Sequence, residues 1–179
     1  MFARTPRLTL RPAWPEDAPR LAAAIGHEAV VTKLSRVPWP YTPDHAAEFL
    51  SRRQAQGELF CLILAHDAPA PRLIGGIGLH PTGEDTEIGY WLTPAAWGRG
   101  YATEAGRAVV DMARRALGLK RLVSAHHADN AASGRVLRKL GFHETGREQR
   151  PCLARGHDVT CAVLELDLAT GARPLPIAA

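Results

Sequence analysis

Two glycines lie in a short loop between a strand-like and a helix-like segment, in the run WLTPAAWGRGYATEA from Trp91 to Ala105. Such a loop turns consecutive backbone N–H groups toward one point, and the first helical turn adds unpaired donors and the positive end of the helix dipole. Because Gly98 and Gly100 carry no side chain, a ligand can approach the backbone closely. The combination favours binding of phosphate or pyrophosphate, although glycine before a helix also serves simply as a tight turn.

Two common nucleotide-binding loops are excluded by the residues that follow these glycines. A Walker loop requires Gly-Lys followed by Ser or Thr, which is absent from this segment. The dinucleotide pattern GxGxxG also fails, because Thr103 occupies the position of its third glycine. The spacing alone therefore indicates an anion site without identifying the ligand.

The histidines and tryptophans do not assemble into a second recognisable site. His126 and His127 are adjacent in a strand-like run and should point to opposite faces, so they cannot bind one metal together. His143 and His157 add no metal-ligand spacing, and no metal is expected. The four tryptophans are scattered without interleaved basic residues, so no nucleic-acid partner is expected either.

Length and composition are those of an ordinary globular protein. The chain has 179 residues, 46% hydrophobic and 22% charged, with a formal net charge of +4. This predicts a single domain over residues 1–179, with a core from about 7 to 168 and a loose tail at 169–179. The mild positive balance suits an anionic cofactor but also many other partners.

Cysteine usage and hydropathy bear on the compartment. Cys61, Cys152 and Cys161 form no CxxC pair, their number is odd, and no signal peptide is recognised before them. They are expected to be reduced thiols in a cytoplasmic protein. No apolar run approaches membrane-spanning length, so no membrane association is expected.

The hydrophobic pattern predicts alternating strands and helices within one unit. Seven strands are expected, at Arg7–Arg11, Glu58–His66, Arg72–His80, Thr86–Thr93, Lys120–His127, Phe142–Glu148 and Val159–Leu168. Helices are expected from Pro15 until Gly26 stops the first, around Val30–Leu34, after Thr42, after the Gly98–Gly100 loop until Gly118, and from the Asn130 cap until Gly141. The buried stripe of the fourth helix is expected to comprise Ala102, Ala105, Val109, Met112, Ala116 and Leu117.

The glycine loop resembles the pyrophosphate-binding motif of the GNAT superfamily of N-acetyltransferases, [Q/R]-x-x-G-x-[G/A]. Gly100 and Ala102 match its last two fixed positions, and Trp97 departs from the first. Tryptophan at that place is usual in the RimJ/RimL-like, ribosomal-protein N-terminal-alanine acetyltransferase branch. Further segments resemble the same branch in the same order, namely RLTLRPAWPEDA, LIGGIGLH, EIGYWL and DNAASGRVLRKLGF.

The resemblance covers nearly the whole chain and implies an α/β (α+β) fold. Its central sheet is mixed and mostly antiparallel, of about seven strands flanked by helices, and its fourth and fifth strands splay apart. The fourth strand, here Thr86–Thr93, carries a bulge, for which Gly89 is the local candidate. Acetyl-coenzyme A lies in the resulting gap.

The resemblance also implies which residues contact this cosubstrate. The pantetheine arm would pair with backbone groups near Trp91, Leu92 and Thr93, and Asn130 would hydrogen-bond the same region. The pyrophosphate would be held by the loop residues Gly98, Arg99, Gly100, Tyr101, Ala102 and Thr103.

Three residues are candidates for proton transfer during attack of an amine on the thioester. Glu87 lies in the strand that the resemblance places beside the gap, and can act as the general base or be a solvent-facing strand carboxylate. Ser133 offers a hydroxyl near the sulfur, or a second helix cap beside Asn130. Tyr90 could instead supply the acid, or belong to the core.

The expected function is transfer of acetyl from acetyl-coenzyme A to a primary amine, favouring a protein N-terminal α-amine. A small-molecule acceptor, such as a polyamine, an amino acid or an amine antibiotic, is the first alternative. A non-catalytic acyl-coenzyme-A sensor is the second. The acceptor pocket is expected between His27–Tyr41 and the loop after Arg150, and the protein is expected to be a monomer or a homodimer.

Overall fold

The structure is a computed structural model that describes residues 2–56 and 58–169, with the backbone alone described for residues 53–56. Its strands form one sheet in the order β1-β2-β3-β4-β5-β6-β8-β7. The strands are β1 Ala3–Arg4, β2 Leu8–Pro12, β3 Leu59–Ala65, β4 Arg72–Thr82, β5 Asp85–Leu92, β6 Arg121–His127, β7 His143–Cys152 and β8 His157–Asp167. The helices are α1 Ala18–Ile25, α2 Glu28–Val31, α3 Pro43–Gln56, α4 Tyr101–Arg115 and α5 Ala131–Lys139.

The expected mixed, mostly antiparallel sheet is confirmed, with eight strands in place of about seven. The additional strand is the two-residue β1, which pairs antiparallel with β2 at the sheet edge. Two residues are too few for an alternating hydrophobic pattern to be visible. The expected tail falls almost wholly on residues 170–179, which lie outside the described part of the chain.

Both faces of the sheet are covered. On one face, Ile88 of β5 and Leu122 of β6 join a core with Ala105 and Val109 of α4 and Leu137 of α5. On the other face, α1 and α3 pack over β3, where Leu21 and Leu50 lie in one cluster with Leu62. Side chains that alternate along the strands therefore pack against two separate helical layers, one on each face of the sheet.

The prediction that Ala116 and Leu117 belong to the buried stripe of α4 is wrong. The buried α4 residues are Tyr101, Ala105, Gly106, Val109 and Ala113. The helix ends at Arg115, before Gly118, so the following residues leave the helical face, and the Leu117 side chain is 44% exposed. Gly118 itself adopts a φ of +64°, as expected for a residue that reverses the chain after a helix.

The parallel pair β5–β6 divides the sheet. Its one registered pair among the described residues is Glu87 with Val123, and the Ser124 hydroxyl also donates to the Ile88 carbonyl at 2.9 Å. Beyond these contacts β6 continues to pair with β8 as far as His127, while β5 continues to pair with β4. The two strands therefore separate toward their carboxyl ends, which confirms the expected splay.

The prediction of a bulge at Gly89 is wrong. Gly89 pairs with Gly78 within an uninterrupted antiparallel register between β4 and β5. The register shifts lie elsewhere, between Ile63 and Leu64 and between Glu144 and Gly146. Gly89 instead leaves space open above the sheet, because an added Cβ would meet only the His80 Cε1 atom, at 3.8 Å.

Asn130 caps α5 as expected, since its side-chain oxygen accepts a hydrogen bond from the Ser133 backbone N–H at 3.2 Å.

Replacing Asn130 by alanine should lower the free energy of unfolding by about 1 kcal/mol, because this N–H loses its partner. Asn130→Asp is the matched control, since aspartate keeps the accepting oxygen. Urea denaturation of both variants checks the difference, and equal stability of the two would contradict the capping role.

Among residues 2–56 and 58–169, no helix has the length and apolar composition required to cross a membrane.

Candidate functional site

The glycine loop is formed by two left-handed residues that follow a single 3₁₀ turn at Pro94–Ala96. Gly98 has a φ of +72° and Gly100, the N-cap of α4, a φ of +79°. L-residues with side chains rarely adopt this conformation, which explains why glycine occupies both positions. Trp97 connects the loop to the end of β5, because its indole Nε1–H donates to the Leu92 carbonyl at 2.8 Å.

The side chains of Arg99 and Tyr101 point away from the space in front of the loop. Both reach Asp67 in the β3–β4 turn: the Arg99 guanidinium lies 2.8 Å from its carboxylate, and the Tyr101 hydroxyl donates to it at 2.9 Å. Arg72 binds the same carboxylate. These hydrogen bonds, first from Arg72 and then from Tyr101, lower the pKa of Asp67 to about 2. The loop therefore offers its backbone, and not the Arg99 side chain, to a ligand.

An open cleft of about 850 Å³ lies beside the loop. Its wall includes Gly100, Thr103 and Glu104 from the start of α4, together with Arg7, Arg107 and Lys139. The three cations outnumber the single carboxylate, which is itself ion-paired with Arg7. The cleft is therefore positively charged on balance, as an anionic ligand requires.

The gap between β5 and β6 exposes backbone groups of alternate β5 residues. The Thr93 N–H donates to Ile74 of β4, whereas the Ile88 carbonyl accepts from Ser124 of β6. Because successive residues of a strand direct their polar groups to opposite neighbours, Tyr90 and Leu92 face the gap. Of the expected backbone contacts at Trp91, Leu92 and Thr93, only Leu92 faces the gap, and the Thr93 N–H is already occupied by Ile74.

Tyr90 and Ser133 meet at the side of the gap that α5 covers. The Tyr90 hydroxyl lies 2.9 Å from the Ser133 hydroxyl and also donates to the Ser133 carbonyl at 3.1 Å. Burial raises the pKa of Tyr90 to about 12, although the bond to Ser133 opposes this shift. Tyr90 is therefore protonated at neutral pH, and its hydroxyl lies within hydrogen-bond distance of the Ser133 hydroxyl.

Glu87 is neither in open solvent nor free. It is 9% exposed, and both of its carboxylate oxygens accept from Nη1 of Arg150 on β7, each at 3.0 Å. Arg150 Nε also binds Glu148. Burial lowers the pKa of Arg150, but the hydrogen bonds to Glu148 and Glu87 outweigh it and hold that pKa above its ordinary value. The result is a fixed carboxylate, held at the point where β5 and β6 separate.

His80 and Arg150 are residues that the sequence reasoning missed. His80 on β4 is the cross-strand partner of Glu87 and borders the space left open by Gly89. Its position beside Glu87 depends on the β4–β5 register, which the turn around Gly83 could have suggested. Arg150 lies on a strand three places from β5 in the sheet, so no local signal connects it with Glu87.

The two segments expected to form the acceptor pocket are joined directly. In the β7–β8 turn, Arg155 Nε donates to the Thr32 carbonyl at 2.8 Å, and the Leu153 N–H donates to Ser35 at 3.1 Å. Asp129 receives both Arg155 and Lys33, at 2.9 and 2.8 Å. We call residues 32–35, Asp129 and 152–155 the clasp.

His127 lies behind the clasp at the end of β6. It is 2% exposed, and among the described residues neither ring nitrogen has a partner with good hydrogen-bond geometry, although the Thr32 backbone lies close enough to act on the ring. Burial, followed by the charge of Arg155, lowers its pKa, so the ring is neutral at neutral pH. Within the described ranges, no three or more His, Cys, Asp or Glu side chains are placed to hold a metal ion, and the three cysteines are buried and form no disulfide there.

A protein-family model for the acetyltransferase (GNAT) domain matches residues 7–143. The chain belongs to the GNAT acetyltransferase family. Among curated GNAT relatives, the uncharacterized N-acetyltransferase YoaA of Bacillus subtilis (strain 168) is 42% identical over 77 residues, which are 41% of this chain and 44% of YoaA. The uncharacterized N-acetyltransferase YnaD of the same organism is 29% identical over 121 residues, covering 66% of this chain and 69% of YnaD. The match therefore spans less than half the length of the first of these relatives.

Solved GNAT structures superpose over most of the chain. A GNAT-family acetyltransferase from Bacillus anthracis gives a TM-score of 0.80 at 20% identity, covering 94% of this chain and 99% of that one. RimL, a ribosomal L7/L12 alpha-N-protein acetyltransferase in complex with coenzyme A, gives 0.78 at 19% identity, covering 93% and 98%. At these identities the likeness establishes the GNAT fold, in agreement with the sheet order and the β5–β6 splay.

Proposed function

We propose that the protein transfers an acetyl group from acetyl-coenzyme A to a primary amine. One observation carries the proposal: in a GNAT-family chain, the gap between β5 and β6 lies next to the left-handed glycine loop at the start of α4. A long ligand with a thioester at one end and phosphates at the other fits this arrangement. The Gly98–Thr103 backbone would hold the pyrophosphate at the helix N-terminus.

The pantetheine arm would lie in the gap and take the place of the missing strand pairing. Tyr90 offers backbone groups there and Leu92 offers its N–H, because neither residue is turned toward β4 and the Leu92 carbonyl already accepts from Trp97. The Asn130 side-chain oxygen is used for the helix cap, so only its amide N–H₂ would be left to bind the arm. An N–H of β5 would also stabilise the negative charge that develops on the thioester oxygen during attack.

The reaction requires one proton to leave the amine and one to reach the sulfur. Glu87, fixed by Arg150, would accept the amine proton directly or through a water molecule. The amine nitrogen then forms a bond to the acetyl carbon, and the carbon–sulfur bond breaks. The Tyr90–Ser133 hydroxyl pair would protonate the departing thiolate, since Tyr90 retains its proton at neutral pH.

A protein N-terminal α-amine is the acceptor class that we favour. RimL is described as an alpha-N-protein acetyltransferase, and this chain shares its fold and its RimJ/RimL-like motif order. An amine panel that contains N-terminal peptides, polyamines and amino acids, followed by release of free coenzyme A, tests this choice. Turnover of the small amines alone would favour the small-molecule alternative, and no turnover of any amine would favour a sensor.

Acetyl-coenzyme A should raise the melting temperature of the protein, because a ligand that binds only the folded state stabilises it by mass action. At one hundred times the dissociation constant the gain is about 2.7 kcal/mol. A thermal scan with and without millimolar acetyl-coenzyme A measures it, with acetate as the control ligand. An unchanged melting temperature would exclude the proposed cosubstrate.

A further inference from the structure

Arg7, just before β2, contacts the glycine loop and the first turn of α4 at the same time. Its Nη1 donates to the Arg99 carbonyl at 2.9 Å. Its Nε and Nη2 both bind one oxygen of Glu104, each at 2.7 Å, and its backbone N–H donates to the other oxygen at 3.0 Å. The guanidinium also lies over the Tyr101 ring, 4.6 Å from its centre. The Arg7 side chain therefore contacts Arg99 in the loop and both Tyr101 and Glu104 in the first turn of α4.

The contact with the Arg99 carbonyl fixes the direction of the next amide. In a trans peptide the C=O and the following N–H point in opposite directions. Holding the Arg99 carbonyl toward Arg7 therefore turns the Gly100 N–H away from Arg7. Because a left-handed glycine has few steric restraints of its own, such an external bond is needed to select one orientation of this peptide.

The contact with Glu104 removes an unfavourable charge. Glu104 lies in the first turn of α4 and lines the same cleft as Gly100 and Thr103. Its side chain is 15% exposed, so its charge is poorly screened by water. The Thr5 hydroxyl donates to it at 2.6 Å, but Arg7 is the positive partner. Without Arg7, a carboxylate would face any anion bound at the helix N-terminus.

We propose that Arg7 is a positioning residue for the phosphate-binding loop: it orients the Gly100 amide and neutralises Glu104, without being a phosphate ligand itself. This rests on the proposed function, in which that loop holds the pyrophosphate of acetyl-coenzyme A. Arg7 is not part of the pyrophosphate-binding motif itself, since it lies 92 residues from Arg99 in the chain.

The test compares two acyl donors, acetyl-coenzyme A and S-acetyl-pantetheine, which keeps the thioester and lacks the pyrophosphate. Arg7→Ala should lower kcat/KM for acetyl-coenzyme A by about tenfold, chiefly through KM, because an oriented donor is lost and a charge is left unpaired. The value for S-acetyl-pantetheine should not change. An equal loss with both donors, or no loss with either, would overturn the proposal.

A second substitution separates neutralisation from direct phosphate contact. Glu104→Gln in the Arg7→Ala background should recover part of the loss, because the repelling charge is gone. If Arg7 acted only as a direct phosphate ligand, Glu104→Gln would change kcat/KM for acetyl-coenzyme A by the same factor with and without Arg7, and the positioning role would be rejected. Arg7→Lys, which keeps the charge without the forked geometry, should show a smaller loss and covers the case in which Arg7→Ala does not fold.

Controls distinguish this inference from the proposed function. Arg115→Ala removes an exposed arginine at the other end of α4, paired there with Asp111, and should leave both donors unaffected. If the wild-type protein used the two donors equally well, the loop would not be a pyrophosphate site, and the proposed function would fail at that point. If the wild-type protein preferred acetyl-coenzyme A and the Arg7 variants kept its kcat/KM with both donors, the positioning role would fail while the proposed function would stand.

Discussion

Gly100→Glu should abolish binding of acetyl-coenzyme A while the fold is retained. Gly100 has a φ of +79°, and an added Cβ would lie 3.5 Å from Arg7 Nη2, in the wall of the cleft beside the loop that is proposed to hold the pyrophosphate. A carboxylate there would both fill the space and repel the phosphates. Calorimetric titration with acetyl-coenzyme A measures the loss, and circular dichroism follows the fold.

The left-handed backbone at Gly100 requires a control that carries the same strain. Gly83, in the turn between β4 and β5, has a φ of +58° and open space where its Cβ would lie. Gly83→Glu therefore adds the same charge and a similar conformational cost, on the order of 1–2 kcal/mol, at the opposite end of β5. It should bind the ligand normally. Unchanged affinity in folded Gly100→Glu would show that the phosphates bind elsewhere.

Glu87→Gln should lower kcat far more than it weakens binding of acetyl-coenzyme A. Glutamine cannot accept a proton, and general-base assistance is typically worth about 10²–10⁴-fold in rate. Steady-state kinetics over a range of pH measure the effect. If Glu87 removes the amine proton, activity should return as the pH rises and the free amine becomes more abundant.

Glu148→Gln is the control for the loss of the ion pair, because Glu148 binds the same arginine and is 46% exposed. This variant should keep most of the activity, since Glu87 retains Arg150. A loss below tenfold in Glu87→Gln would remove Glu87 as the base. His80, its cross-strand partner beside the open space at Gly89, would then be the first residue to replace.

Local signals in the sequence predicted those features of the site that are decided within a few residues. These features are the glycine loop before α4 and the Asn130 cap, which depend on the local backbone and on a hydrogen bond between residues three apart. The prediction of a bulge at Gly89 was wrong because glycine within a strand is a local signal that accompanies several different features. Here it opens space on the sheet surface without disturbing the register.

The partners of the site residues could not be predicted in this way. Glu87 and Arg150 are 63 residues apart, and Arg7 and Glu104 are 97 apart. Each pair meets only because the chain folds into one sheet, so neither belongs to a periodic pattern or a short motif. The sequence identified Glu87 as a candidate, and the structure adds that its carboxylate is held in place by a cation.

The parting of β5 from β6 has a consequence for amide hydrogen exchange. The N–H groups of Tyr90 and Leu92 face the gap, in a region where the neighbouring strand has already moved away. Unlike other amides in the interior of the sheet, they should exchange with solvent deuterium quickly in the free protein. A ligand lying along the gap would slow them selectively. The same two amides would therefore report, residue by residue, whether a molecule occupies the place of a strand.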